Sequence, residues 1–259
     1  TFVNQFSIFL NPKDLYSLSE SMPGSVRVTL VSAKGEMLAV NAANFRLCPI
    51  EESASQDRVE EILASFVTPN DPLVQELVGK AAEIRKAKYN DPSFSGYLTH
   101  DPNRVLEDMD VIFEAVKGAR IRYAIMSASY EKFFQRVRLP RSVLQERMAN
   151  CLDFSLLFAS LYEAIGLHPV ILMCKTHAMV GVWLKDDNLA SPLEENSQVF
   201  VNAASKGYDS FAALETTLAA DGQEANFEQA KNQAYQKLEE GKSFAYGLDI
   251  VSCRANWIR

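Results

Sequence analysis

Hydrophobic and polar positions alternate along the first fifty residues of the chain. Val26, Val28 and Leu30 recur at every second position, and a turn at 33–36 separates them from another apolar stretch. This two-residue period is typical of β-strands with one apolar face. Because such a face has to be covered, the pattern predicts a small antiparallel sheet or half-sandwich, in a β-rich subdomain over residues 1–55.

The hydrophobic period becomes helical from about residue 56. In one segment Val74, Leu77 and Ala81 fall on a single helical face behind a proline in the first turn. In the next, Asp101 is placed to cap a helix that Gly118 ends. The helices predicted in this part of the chain cover residues 57–66, 72–88, 102–118 and 140–147.

The second half of the chain combines an apolar helix with short strands. The helix is predicted from Cys151 to Ile165, where Gly166 stops it. The elements predicted after it are strands at 169–174, 177–184 and 198–203, helices near 210–219 and 226–240, and a last strand at 244–251. We therefore expect an α+β fold in which residues 56–259 form a helical segment and a core, with the buried helix that carries Cys151 packed on an antiparallel sheet.

The charge of the chain limits the partners that it is expected to bind. The chain has 259 residues, of which 47% are hydrophobic, and a formal net charge of -7. That composition is typical of a globular protein with a sizeable core, and the negative charge should repel nucleic acid. Basic residues do cluster between Arg120 and Arg147. They form either a local basic patch or, as we favour, a solvated surface paired with carboxylates.

The cysteines and histidines are too scattered to predict a disulfide framework, a metal site or a bound cofactor. Four cysteines include no CxxC pair, and three histidines include no HExxH pair. No apolar run approaches the ~18–20 residues that span a bilayer, and no signal peptide opens the chain. We expect no membrane contact and a cytoplasmic location. Since the chain begins with Thr1 and its last four residues still include the apolar Trp257 and Ile258, we expect a fragment of a longer polypeptide.

One cysteine and one histidine stand where nucleophilic chemistry needs them. A free thiol has a pKa near ~8.5, and a helix N-terminus or a neighbouring imidazolium lowers it. Cys151 is the first residue of the apolar helix, and His177 begins the second strand after it. Asn202 is the polar residue of the next predicted strand, from which it can orient the imidazole. These three residues are the predicted catalytic set.

Each of these residues also has a structural interpretation. A buried cysteine is usually an inert, small apolar group. His177 can be a satisfied histidine at a strand end, and Asn202 can serve a turn or a cap. Asp153 lies in the first turn of the Cys151 helix, where we expect it to support the cysteine structurally.

Three groups of residues resemble the transglutaminase-like superfamily. They are Asn150–Leu157, which contains the Cys-Leu-Asp helix start, Glu163–Pro169, and the His177–Ala178 strand start. The chain more narrowly resembles an uncharacterised module that precedes the helicase in large bacterial superfamily 1 helicase-like proteins, and this similarity covers nearly the whole chain. The segments that carry it are Phe66–Asn70, Ser95–Tyr97, Gln135–Pro140, Gly166–Pro169 and Gly181–Leu184.

The resemblance implies a papain-like, transglutaminase-like core with a Cys–His–acid thiol site. Asn202 stands where Asp or Glu is more usual in this group, although Asn fills the role in papain-like proteases. Gln135 or Asn150 is a candidate side-chain donor for an oxyanion hole, as a Gln is in papain-like enzymes. The simpler alternatives are a surface amide for Gln135 and a turn residue for Asn150.

Two hypotheses of function follow from the sequence. In the first, Cys151, His177 and Asn202 catalyse acyl transfer on a protein or peptide, as a peptidase, deamidase or transglutaminase, and we favour the peptidase. In the second, the site is degenerate, and the chain is an interaction module that regulates a helicase attached in the same polypeptide.

Overall fold

The chain divides into two compact units, Thr1–Ser53 and Ala54–Arg259. The computed structural model describes residues 11, 14–15, 17–54, 59–124 and 134–258. Helices and strands are both abundant, and the largest sheet is antiparallel, so the α+β class expected from the sequence is confirmed.

The first unit contains a long β-hairpin. Strands β1 (Met22–Val31) and β2 (Met37–Leu47) pair antiparallel, and the strand β3 follows at Glu52–Ala54. Gly35 lies in the turn with φ +83°, a conformation that favours glycine. The predicted antiparallel pairing is confirmed. The expectation of a covered apolar face is not met, because Val28 and Leu30 remain 50% and 59% exposed.

The second unit begins with helices whose ends follow the capping rules. The helices are α1 (Val59–Ile62), continued by a 3-10 turn at Leu63–Phe66, α2 (Pro72–Tyr89) and α3 (Pro102–Gly118), with a 3-10 turn at Gly96–Thr99 between the last two. Asp71 and Asp101 cap α2 and α3 by accepting hydrogen bonds from the amides of Leu73 and Asn103. The helices predicted over these residues are therefore confirmed, apart from positions 57 and 58, which lie outside the described residues.

Short elements then lead to the helix that carries Cys151. They are β4 (Arg122–Tyr123), β5 (Phe134–Arg136), α4 (Pro140–Glu146), β6 (Met148–Ala149) and α5 (Cys151–Ala164). Strand β4 pairs in parallel with β6, so Tyr123 lies beside Ala149, two residues before Cys151. The side chains of α5 from Leu152 to Tyr162 are all buried, as the apolar sequence predicts.

A five-stranded antiparallel sheet forms the centre of the second unit. Its strands are β7 (Pro169–Cys174), β8 (His177–Trp183), β9 (Leu193–Glu194), β10 (Phe211–Leu214) and β11 (Phe244–Asp249), in the order β10-β8-β7-β11-β9. Helix α5 covers one face, where it packs with Ile171 and Val180. Val170 and Met179 point into a second cluster on the other face. The central strands are therefore buried on both sides.

Helices α6 (Ser197–Ala204) and α7 (Phe227–Glu240) supply the second face, and α8 (Ile250–Ala255) follows β11. Residues 198–203, predicted as a strand, belong to α6, because Asn196 caps a helix whose apolar residues cover a helical face. Residues 210–219, predicted as a helix, form β10 and a 3-10 turn at Thr216–Ala219, because Phe211–Leu214 fills the edge of the sheet. Both segments are short apolar runs, for which the hydrophobic period does not distinguish helix from strand.

Candidate active site

The N-terminus of α5 is held by a reciprocal pair of hydrogen bonds. The Asn150 side chain accepts from the Asp153 amide at 2.9 Å, and the Asp153 carboxylate accepts from the Asn150 amide at 3.1 Å. Asp153 also accepts from the amide of Arg138 at 2.9 Å and from its guanidinium at 3.2 Å. This capping box fixes Cys151 as the first residue of the helix, where the dipole favours a negative charge.

The Cys151 thiol and the His177 side chain interact, and each shifts the pKa of the other. Burial opposes ionisation of the thiol, but hydrogen bonds from His177 and from the amides of Ala178 and Leu152 outweigh it, so the pKa of Cys151 is lowered. The hydrogen bond to Cys151, with the one to Glu215, raises the pKa of His177 to about 9. These opposite shifts favour the thiolate–imidazolium pair over the neutral thiol and imidazole.

The imidazole is oriented by Glu215, which follows directly after β10. Nε2 of His177 lies 2.7 Å from Oε2 of Glu215, which leaves Nδ1 for the thiol. The Glu215 side chain is fully buried. Glu215 was not predicted from the sequence, because residues 198–203 were expected to form the strand that borders β8. The signal that would have found it is the apolar strand Phe211–Leu214 with an acid at its end.

Three further donors hold the Glu215 carboxylate. Nζ of Lys237, from α7, forms a short ion pair with Oε2. Oε1 accepts from the Thr217 hydroxyl at 2.6 Å and from the Thr217 amide at 3.2 Å. Burial favours the neutral acid, but the hydrogen bonds from His177, Lys237 and Thr217 outweigh it and lower the pKa of Glu215 to about 2. The carboxylate is thus ionised beside the imidazole at neutral pH.

Asn202 does not lie in this cluster, which corrects its predicted role as the third catalytic residue. It is an exposed residue near the end of α6, and its amide oxygen accepts from the Gln198 side chain at 3.0 Å. The acceptor behind His177 is the Glu215 carboxylate.

The supporting residues predicted from the sequence have separate outcomes. Asp153 and Asn150 are the capping pair of α5, so the structural alternative holds for Asp153 and the side-chain oxygen of Asn150 serves as a cap. Gln135 belongs to the short strand β5, and its side chain lies outside the described residues. Its part in an oxyanion hole stays a prediction.

Tyr123 is a further neighbour of the thiol that the sequence did not indicate. The parallel pairing of β4 with β6 brings it near Cys151, and the two side chains interact. Burial raises the pKa of the phenol, and the charges of Cys151 and Glu215 add to the shift. The phenol is therefore a proton donor toward the sulfur.

The remaining cysteines differ from Cys151 in their surroundings. All four are free thiols, and burial raises the pKa of Cys174 and of Cys253, in the latter to about 12. Among the cysteines with a shifted pKa, Cys151 is thus the one whose neighbours favour the thiolate. This contrast is typical of a nucleophile among structural thiols.

Within the described ranges, no three His, Cys, Asp or Glu side chains are grouped so that they could hold a metal ion. No helix in those ranges has the length and apolar composition needed to cross a membrane. Comparison of the chain with protein-family models, with curated proteins and with solved structures found no match. The function is therefore argued from the geometry of the Cys151 site.

Proposed function

We propose that the chain is a cysteine-dependent acyl-transfer enzyme, a peptidase or amidase, in which Cys151, His177 and Glu215 act as nucleophile, general base and orienting acid. The observation that carries the proposal is the series Cys151–His177–Glu215 at the N-terminus of a buried helix, in which Nε2 of His177 lies 2.7 Å from the Glu215 carboxylate. A nucleophile next to a base that a third group orients is the arrangement that acyl transfer requires.

The reaction follows from the charges of the site. The Cys151 thiolate attacks the carbonyl carbon of an amide, and the negative charge moves to the carbonyl oxygen. The tetrahedral intermediate collapses to a thioester as the His177 imidazolium gives its proton to the leaving amine. Water then attacks the thioester, His177 takes a proton from it, and the acid is released with the free thiol.

The amides that face the sulfur are the candidate donors to the oxyanion. The amides of Leu152 and Ala178 both lower the pKa of Cys151, and the helix dipole adds positive potential there. Backbone N–H groups at a helix N-terminus typically stabilise the charge that develops on a carbonyl oxygen. Tyr123 provides a further O–H beside the sulfur.

The sequence motifs around Cys151 and His177 support assignment of this core to the papain-like, transglutaminase-like group. The substrate class that we propose is a protein or peptide, and we propose that the chain belongs to a longer, helicase-like polypeptide in the cytoplasm. Deamidation or cross-linking would use the same thioester with a different substrate amide or acceptor.

The thiol chemistry can be tested before a substrate is known. Iodoacetamide should alkylate Cys151 at pH 6.5 faster than Cys174 by about tenfold or more, as followed by peptide mass spectrometry. His177→Ala should remove this advantage without changing the rate at Cys48. Equal rates for Cys151 and Cys174 in the wild-type protein would refute the proposal.

Turnover can be tested with a peptide library derived from a bacterial lysate. New peptide termini should form with the wild-type protein and not with Cys151→Ala or His177→Ala. A reactive Cys151 that opens no amide bond in such a library, together with no deamidated or cross-linked product, would instead favour the non-catalytic interaction module.

A further inference from the structure

Strand β10 lies at one edge of the five-stranded sheet, so only one side of it pairs with another strand. The alternation of hydrogen bonds shows which residues face β8. The Leu184 amide donates to the Ser210 carbonyl at 2.8 Å, whereas the Trp183 amide donates away from β10, to His168. Since partners alternate along an antiparallel ladder, Ala212 and Leu214 exchange hydrogen bonds with β8.

Phe211 and Ala213 consequently direct their N–H and C=O groups away from the sheet. At the two ends of this outer edge, other elements take up the backbone groups. The Ser210 amide donates to the Ala203 carbonyl at 2.9 Å, and the Glu215 amide donates to the Ala230 carbonyl of α7 at 3.1 Å. Between these ends, the described part of the chain provides no hydrogen bond to the outward groups of Phe211 and Ala213.

These unpaired groups belong to residues that are only 2% and 3% exposed. Buried backbone N–H and C=O groups are nearly always paired in native proteins, because leaving them unpaired costs free energy. Their pairing therefore has to come from water or from a ligand. A cleft of about 580 Å³ lies in front of them, and we call it the β10 cleft.

The β10 cleft has an apolar floor and a polar rim. Leu106 of α3, Leu184 and the residues of β10 from Phe211 to Ala213 contribute to the floor. The rim is formed by the N-terminus of α3, the loop after α6, and Lys231 and Tyr235 of α7. Cys151, His177 and Glu215 do not line it, so it is separate from the candidate active site.

We propose that the β10 cleft binds an extended peptide segment of a partner protein, which adds a sixth strand to the sheet beside β10. Phe211 and Ala213 offer N–H and C=O pairs two residues apart, about 7 Å along the strand. A peptide in β conformation presents complementary pairs at the same spacing, and this form of recognition uses main-chain hydrogen bonds for affinity.

The floor of the β10 cleft also predicts a preference for one side chain of the peptide. Ala212 belongs to the same hydrophobic cluster as Leu184, against which Leu106 packs. The peptide residue opposite Ala212 places its side chain on this face of the sheet. An apolar side chain is therefore expected at that position, and its neighbours along the peptide are less restricted.

The binding experiment uses the whole chain with Cys151→Ala, so that it does not depend on thiol chemistry. A synthetic library of acetylated octapeptides is equilibrated with the immobilised protein, and the Kd of the best retained peptide is measured by fluorescence anisotropy. Each amide of that peptide is then N-methylated in turn. We expect losses of about tenfold or more at alternate positions only, because every second N–H faces β10.

Substitutions in β10 provide the matched test on the protein. Ala213→Pro removes the outward N–H and leaves the ladder to β8 intact, as proline is tolerated at such edge positions. Binding should weaken about tenfold or more, with the thermal unfolding temperature and the secondary structure retained. Leu106→Asp, on the floor, should also weaken binding, whereas Glu163→Gln, outside the cleft, should not.

Several results would overturn the proposal. The first is a library from which no peptide is retained. The second is a loss of affinity on N-methylation that does not alternate along the peptide. The third is an Ala213→Pro protein that folds and binds the peptide as the wild type does. If that variant does not fold, the N-methyl series alone decides. If the wild-type chain dimerises and dimerisation competes with peptide binding, the occupant of the β10 cleft is a second copy of the chain and not a partner protein.

Discussion

Two fully buried carboxylates belong to the Cys151 site, Asp153 in the capping box of α5 and Glu215 behind His177, and their charges are stabilised to different extents. Asp153 accepts from two backbone amides and from Arg138, which it shares with the half-exposed Glu146. Burial nevertheless prevails and raises the pKa of Asp153. Glu215 accepts from His177, Lys237 and Thr217, and its pKa falls to about 2.

The comparison shows that burial alone does not determine the state of an acid. Both groups have no exposed side-chain surface. Glu215 has two cationic donors on one oxygen and a hydroxyl with an amide on the other, so its charge is fully compensated. We therefore assign Asp153 to holding the helix and Glu215 to orienting the base.

The largest effect is expected when Glu215 loses its charge. Glu215→Gln keeps the shape but offers an amide. Its oxygen keeps the two Thr217 donors, so its NH₂ takes the place of Oε2 and opposes the Nε2–H of His177. The wrong imidazole tautomer should lower turnover by roughly 10³–10⁴-fold. The measurement is kcat/KM on a peptide found with the library, and an activity within tenfold of wild type would remove Glu215 from the mechanism.

Asp153 should instead show its effect on stability. Asp153→Ala removes three hydrogen bonds and half of the capping box, so the free energy of unfolding should fall by about 3–5 kcal/mol. Urea denaturation measures this loss. Glu146→Ala, which removes the exposed partner of Arg138, is the control and should cost less than about 1 kcal/mol; a comparable loss in both variants would contradict the difference that we draw.

The two acids should contribute to the acid dependence of stability with opposite signs. The pKa of Glu215 in the folded chain, about 2, lies below the ordinary 4.5. Its contribution is therefore present above pH 4.5 and is lost as the pH falls toward 2. Glu215→Gln should thus flatten the decline of unfolding free energy between pH 4.5 and 2 by a few kcal/mol.

The sign is reversed at Asp153, whose pKa is raised on folding. Its ionisation costs stability as the pH rises above the ordinary range of an aspartate, so Asp153→Asn should steepen rather than flatten the acid decline. Urea titrations of both variants at several pH values make the comparison. Parallel curves for the two would show that their environments do not differ as described.

A smaller effect is expected from Lys237. Its charge lowers the pKa of His177, which the hydrogen bonds to Cys151 and Glu215 raise to about 9. Lys237→Met should therefore raise the pKa of His177 further, and Lys237→Arg should restore it. NMR titration of ¹³C-labelled histidine gives this value directly, and a downward shift in Lys237→Met would contradict the assignment of Lys237 as a positioning residue.

The smallest effect is expected at Asn202, which is exposed and bonded to Gln198. Asn202→Ala should change unfolding free energy by less than about 0.5 kcal/mol and leave the iodoacetamide rate of Cys151 unaltered. A loss of iodoacetamide reactivity comparable to that expected of His177→Ala would return Asn202 to the site.

Much of the fold could be predicted where the hydrophobic pattern is long or is bounded by capping and turn residues. Helices α2 and α3 carry an aspartate cap, a proline in the first turn and an apolar stripe, and their predicted limits agree with the structure within a residue. Strands β7 and β8 were found because a polar turn separates two apolar runs. Residues 198–203 and 210–219 were misassigned because each apolar run is short.

The sequence by itself determined the helix start at Cys151, the supporting role of Asp153 and the strand start at His177, because caps and hydrophobic periods act between residues close in the chain. Only the tertiary structure decided which acid faces His177. Glu215 is 38 residues away from it and Lys237 another 22, and their meeting depends on the pairing of β10 with β8 and the packing of α7. Local patterns carry no record of such long-range contacts, so the third residue of the site had to be found in the folded chain.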